Sequence, residues 1–204
     1  MAVRCTGAGP LGVVCVNGGR AAPVPGTWSA SIEWLVGRLA PGLPECRFAE
    51  VRYRVKSWTR LDDCIEDARE AIEAVERDRL VLLGFSMGGA VAVACADDPR
   101  VDRVVGLAPW LFDQLSVAPI AWKRLRVLHG ALDRGFPGVP GVAPAVSRRG
   151  FDRAIAAGAT GEYTTIRGAA HAIALRAPTG RPVPLPRARV WSRLVEAELR
   201  EALR

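Results

Sequence analysis

Ser86 stands between glycines in Gly84-Phe85-Ser86-Met87-Gly88, after the apolar run 80–83 and before the small-residue run 89–96. Strand, sharp turn and helix form the setting in which a serine becomes a nucleophile. The turn lifts the hydroxyl off the sheet. The glycines remove side chains that would collide, and the following helix turns unpaired N–H groups toward the reacting centre. A serine hydroxyl is a weak nucleophile at neutral pH and needs a base beside it. The chain has only two histidines, His129 and His171. His171 lies in the small-residue loop Gly168-Ala169-Ala170-His171-Ala172, after the last predicted strand, where it can swing toward Ser86. Asp133 closes the loop His129-Gly130-Ala131-Leu132-Asp133, where its carboxylate can hold an imidazole in one tautomer. The order Ser86, Asp133, His171 is the one expected of this elbow. His129, at a strand end, reads as structural.

Acyl transfer builds negative charge on a carbonyl oxygen, and backbone N–H groups stabilise it. One donor is expected at Met87, just after the nucleophile. The other is expected in the loop Asn17-Gly18-Gly19-Arg20, at Gly19 or at Arg20. Trp110, Leu111 and Phe112 leave a strand end beside the elbow. They are candidates for an acyl or leaving-group pocket, with core packing as the equal alternative. Arg20 and Arg134 fall on loops at the same end and are placed to meet an anionic group, although loop arginines are more often simply solvated. The expected reaction is attack of Ser86 on an ester or thioester carbonyl, with His171 moving the proton, Asp133 holding the imidazolium, and no metal or organic cofactor.

These loops need a scaffold. Residues 11–16, 46–53, 80–85, 101–107, 125–128 and 163–166 read as strands. Residues 29–39, 61–75, 86–96, 144–157 and 187–204 read as helices, the second with Leu61, Ile65, Ala68, Ile72 and Val75 at steps of three and four. Alternation of this kind predicts α/β architecture: a doubly wound, mostly parallel sheet of about six strands with helices on both faces. Loops at the carboxyl ends of its strands then share one edge. The 204 residues suit one domain, 1–204, with proline-rich loops but no linker or repeat.

Half the residues are apolar and about a quarter charged, an ordinary globular composition. No apolar run approaches the roughly 20 residues needed to span a bilayer. The N-terminus has no signal-peptide layout. A net charge of +7 is carried almost wholly by arginine, with Lys56 and Lys123 the only lysines. The arginines are scattered and match no nucleic-acid motif, which points to a solvated surface. Five cysteines without metal-like spacing predict free thiols and a reducing cytoplasm.

Together Gly84-Phe85-Ser86-Met87-Gly88-Gly89, His129-Gly130-x-x-Asp133 and Gly168-x-x-His171 resemble the α/β-hydrolase family across nearly the whole chain. The resemblance implies a serine hydrolase acting on small to medium carboxylic esters. A thioesterase or acyltransferase on the same three residues is an alternative, as is a non-catalytic ligand-binding protein on this fold. It also implies an alternative acid, Asp113, after the preceding strand. Two departures stand out. The first loop reads Asn-Gly-Gly where His-Gly is common, and the family's first two strands are missing or reduced to residues 1–9. The connection over 108–124 is too short for a lid domain. Residues 172–186, with Ile173, Leu175 and Leu185, either form a flap over the pocket or pack on the sheet.

Overall fold

Every residue of the strand Leu11–Val16 is buried, as a strand covered on both faces requires. The computed structural model describes residues 1–134 and 141–204. In chain order they form β1 (Ala2–Thr6), β2 (Leu11–Val16), β3 (Val24–Pro25), α1 (Ala30–Leu39), β4 (Cys46–Arg52), β5 (Val55–Lys56), α2 (Leu61–Ala74), β6 (Arg79–Phe85), α3 (Met87–Ala94), β7 (Val101–Leu107), β8 (Arg124–Gly130), α4 (Pro144–Ala156), β9 (Thr160–Ile166), β10 (Ala174–Arg176), β11 (Pro182–Pro184) and α5 (Ala188–Ala202).

Among the described residues the main sheet has seven strands in the order β1-β4-β2-β6-β7-β8-β9. All neighbours run parallel except β1, which pairs antiparallel with β4, from Ala2 opposite Arg52 to Thr6 opposite Phe48. The sheet therefore has one strand more than the six expected. Residues 1–9, to which the family's first two strands were expected to be reduced, hold one edge strand, Ala2–Thr6. Its polar, partly exposed side chains (Arg4, Thr6) hide the apolar run by which inner strands are recognised.

Alternation along the inner strands sends side chains to opposite faces. Val14, Val16, Leu80 and Leu82 pack under α2, α3 and α4. Val13, Cys15, Val81 and Leu83 pack under α1 and α5. On α5 the buried residues Ala188, Trp191, Val195, Leu199 and Ala202 recur at steps of three and four, the period of one helix face. Ser29 caps α1 by accepting the Ile32 N–H, and Asp62 and Asp63 sit in the first turn of α2, where the helix dipole favours negative charge.

The chain leaves β2 toward β4 on one side and returns to β6 on the other. The strand order thus reverses between β2 and β6. In an open α/β sheet a crevice forms at the carboxyl ends of such a pair. Asn17–Gly19 follows β2 and Ser86 follows β6, so both loops flank that crevice.

Candidate active site

Ser86 has φ 56° and ψ −120°, a conformation that L-residues avoid. Its strain, of about 1–3 kcal/mol, is held by hydrogen bonds on both sides. Ser86 N–H donates to Leu107 O, while Gly89 N–H and Trp110 N–H both donate to Ser86 O, each at 2.9 Å. The glycines are needed for close approach. A Cβ on Gly84 would lie 2.6 Å from Gly88 C, and one on Gly88 would lie 2.7 Å from Asn17 O and press on Val16 O. Those carbonyls belong to β2 and its loop and cannot rotate away. Gly88→Ala is expected to cost about 1–3 kcal/mol by overpacking. Urea unfolding measures this; an unchanged midpoint would mean that α3 does not pack this tightly on β2.

Opposite the elbow, Ser86 Oγ and His171 Nε2 are 3.0 Å apart. His171 Nδ1 lies 2.7 Å from Asp133 Oδ2. His171 is 5 % exposed and Asp133 1 % exposed, so the pair is shielded from water. The Phe85 ring packs against the imidazole at 5.2 Å between centroids. The three residues expected from their types and order are therefore within hydrogen-bonding reach of one another.

A second imidazole shares the carboxylate. His129 Nε2 is 3.0 Å from Asp133 Oδ2 and 3.0 Å from Val142 O. Both neighbours are acceptors, so Nε2 carries the proton. Among the described residues His129 Nδ1 is buried without a partner, as suits the unprotonated nitrogen of that tautomer. Val142 N–H donates to Asp133 Oδ1 at 3.1 Å. Burial pushes the Asp133 carboxyl up, but hydrogen bonds from His129 and then His171, with their charges, outweigh it and hold it below the usual carboxylate range. His129, expected to be structural, lies against Asp133, the expected acid; spacing alone gave no sign of that sharing. Asp113, the alternative acid, is exposed and faces Arg149 at 3.4 Å.

Two cavities meet at Ser86. One, of about 200 Å³, is lined by Asn17, Gly19, Arg20, Phe85 and His171 among others. The other, of about 260 Å³, is lined by Trp58, Met87, Trp110, Gly141 and Val142. Gly19 packs on the Met87 side chain, with the space for a Cβ only 3.1 Å from Met87 Cε. Gly18 N–H is taken by Asn17 Oδ1 at 2.7 Å, which leaves Gly19 as the next donor along the loop. Asn17 is itself fixed: its Nδ2 donates to Thr27 O, and Tyr53 Oη donates to its carbonyl.

The pocket expectation needs correction in part. Trp110 lines the second cavity. Leu111 does not: it is 1 % exposed and packs in the core. Phe112 stacks on Trp110 at 4.3 Å and lines neither cavity. Side chains alternate along an extended segment, so neighbours cannot all face one pocket. Arg134 is exposed and lines neither cavity. Residues 172–186 form the β10–β11 hairpin. Ser31 Oγ accepts the Ile173 and Ala174 N–H groups and donates to Ala174 O, tying the hairpin to α1. Ile173 is core, whereas Ala174 and Leu175 line the first cavity. Lys56, Trp58 and Val142 also reach the site, brought there by tertiary folding from segments with no local motif.

A doubly wound sheet with a strained serine at the strand–helix turn beside its switch point defines a class of protein. The sequence model of a family described as "Alpha/beta hydrolase family" matches residues 13–202, and the chain belongs to that family. Among solved structures, one of the metagenome-derived lipolytic enzymes LipS and LipT is similar at 14% identity and TM-score 0.71, with 98% of this chain and 97% of that one covered. An esterase from Exiguobacterium antarcticum is similar at 13% identity and TM-score 0.67, covering 97% and 94%. An alpha-beta serine hydrolase homologue from Coxiella burnetii is similar at 17% identity and TM-score 0.64, covering 97% and 90%. At these identities the likeness is one of fold. No curated protein matches the chain. Among the described residues no helix is long and apolar enough to cross a membrane.

Proposed function

We propose that the protein is a serine hydrolase that cleaves carboxylic esters of small to medium size through an acyl-enzyme on Ser86. The observation that carries this reading is the continuous relay Ser86 Oγ–His171 Nε2–His171 Nδ1–Asp133 Oδ2, at 3.0 and 2.7 Å. In it, the Ser86 hydroxyl donates to Nε2 and His171 donates its Nδ1 proton to the carboxylate. Attack on the carbonyl transfers the serine proton to His171. Asp133, below the usual carboxylate range, stays ionised and stabilises the imidazolium. The Met87 and Gly19 N–H groups take the oxyanion. Met87 is the first residue of α3, so its N–H has no intrahelical acceptor. His171 then protonates the leaving alkoxide and afterwards draws a proton from water to release the acid.

One chain, residues 1–204, supplies every group this needs, and a reducing cytoplasm suits its five free thiols. The test is labelling with a fluorophosphonate probe combined with a panel of p-nitrophenyl esters. Wild type is expected to label and to turn over esters, and Ser86→Ala to do neither. Folded wild type that neither labels nor turns over any ester would overturn the reading in favour of a binding protein.

A further inference from the structure

Among the described residues three cations line the first cavity, Arg20, Lys56 and Arg176, and no aspartate or glutamate does. Arg176 is already matched: both its terminal nitrogens are 3.0 Å from Glu33 Oε2. Among the described residues Arg20 and Lys56 have no acidic partner within ion-pair distance. Lys56 Nζ donates only to the Thr27 hydroxyl, at 2.6 Å.

Tertiary structure holds these two charges together. Lys56 lies on β5, paired with β3 so that it faces Val24. The next residues stitch this ribbon to the β2 loop: Ser57 Oγ and Trp58 N–H both donate to Arg20 O, at 3.1 and 3.0 Å. Lys56 is half-buried, and burial first, then the nearby Arg20 charge, lower its pKa. Both effects disfavour the ammonium, and the attraction of an anion in the cavity would offset them. Ser29 and Ala30, at the N-terminal end of α1, belong to the same wall, where the helix dipole also favours negative charge. By contrast, the described residues walling the second cavity on Ser86, among them Trp58, Met87, Trp110 and Val142, include no charged side chain.

We infer that the first cavity is an anion subsite formed by Arg20 and Lys56, and that the preferred substrates are small esters carrying a carboxylate on one side of the scissile bond and an apolar group on the other. This rests on the esterase reading above. A space of about 200 Å³ equals roughly seven water volumes at ~30 Å³ each. That admits a short carboxylate-ended chain.

Two ester pairs test it, one with the charge on the acyl side and one with it on the alcohol side. These are the p-nitrophenyl monoester of glutaric acid against p-nitrophenyl valerate, and 4-acetoxybenzoate against phenyl acetate. In at least one pair, after correction for intrinsic reactivity, kcat/KM is expected to favour the anion by roughly ten- to a hundred-fold, the range of a charge-assisted contact. Lys56→Gln and Arg20→Gln are each expected to cut that ratio several-fold, Lys56→Arg to restore most of it, and added salt to erode it, since the Debye length is only about 10 Å at 0.1 M.

Calorimetry on Ser86→Ala with glutarate reads the subsite without turnover. Saturable binding, lost when Lys56→Gln and Arg20→Gln are added, supports it. Ester turnover with no anionic preference and no glutarate binding overturns the subsite and leaves the esterase reading standing. Glutarate binding in a protein that neither labels nor hydrolyses overturns the esterase reading and leaves the subsite.

Discussion

Ser86→Ala is expected to lower kcat on the best ester by about 10⁶-fold, and His171→Ala by nearly as much. The double variant is expected to be scarcely worse than either, because the residues act as one unit: without the nucleophile the base has no proton to take. The residual rate comes from substrate positioning and the oxyanion donors. Folding is not the cause of the loss. Alanine keeps the backbone at φ 56°, held by the Leu107 and Trp110 contacts, and among the described residues Ser86 Oγ has only His171 as its partner. Urea unfolding of Ser86→Ala should therefore match wild type within about 1 kcal/mol, whereas a glycine at 86 also relieves the strain at positive φ. Single-turnover kinetics with an ester that wild type cleaves make the measurement. A Ser86→Ala variant within ten-fold of wild type would mean that some other group is the nucleophile.

Asp133→Asn is expected to reduce kcat/KM by about 10⁴-fold and, unlike the serine variant, to destabilise the fold. The wild-type carboxylate accepts two N–H groups, His171 on Oδ2 and Val142 on Oδ1, and His129 Nε2 lies 3.0 Å from Oδ2. An amide offers one oxygen. If it faces the imidazoles, its NH₂ meets the Val142 N–H. If it faces Val142, its NH₂ meets two imidazole nitrogens, and His171 is forced into the tautomer that cannot take the serine proton. Either arrangement leaves buried donors opposed, at about 1–3 kcal/mol.

The pH dependence has a definite sign. The folded-state pKa of Asp133 is depressed, so its ionised form contributes stability above the unfolded value of about 3.9. That contribution is lost as pH falls through the lower folded value. The stability gap between wild type and Asp133→Asn should be full at pH 6 and narrow below about pH 4 in urea titrations. A gap that widened with acid would contradict the assignment. Asp113→Asn, at an exposed ion pair with Arg149, should leave kcat/KM within about two-fold, since such pairs contribute little.

Much of the scaffold could be read from the residue pattern because burial imposes periods. The inner strands and amphipathic helices fall within a few residues of where their apolar spacing puts them. Elements with weak burial signals escaped: edge strand β1, the two-residue ribbon β3–β5 and the β10–β11 hairpin. Each is held by backbone pairing with a distant partner rather than by its own pattern. The run Trp110-Leu111-Phe112 misled for a related reason. Apolar character marks a residue for burial, but chain direction decides whether that burial is in the core or in a pocket.

The site divides along the same line. The placement of Ser86, Met87, Asp133 and His171 was legible because it depends on local backbone form: a turn between glycines, a helix start, and loops after strands in a set order. The sharing of Asp133 by His129 and His171, the uncharged wall of Trp58, Trp110 and Val142, and the meeting of Lys56 with Arg20 had no such local signature. The last of these arises where Ser57 is hydrogen-bonded to the carbonyls of Arg20 and Ala21, 37 and 36 residues away. A local backbone motif can specify a reacting group, because strain and hydrogen bonding act over a few residues. The surroundings that choose a substrate are built from long-range packing and charge, and these take a value only once the chain has closed on itself.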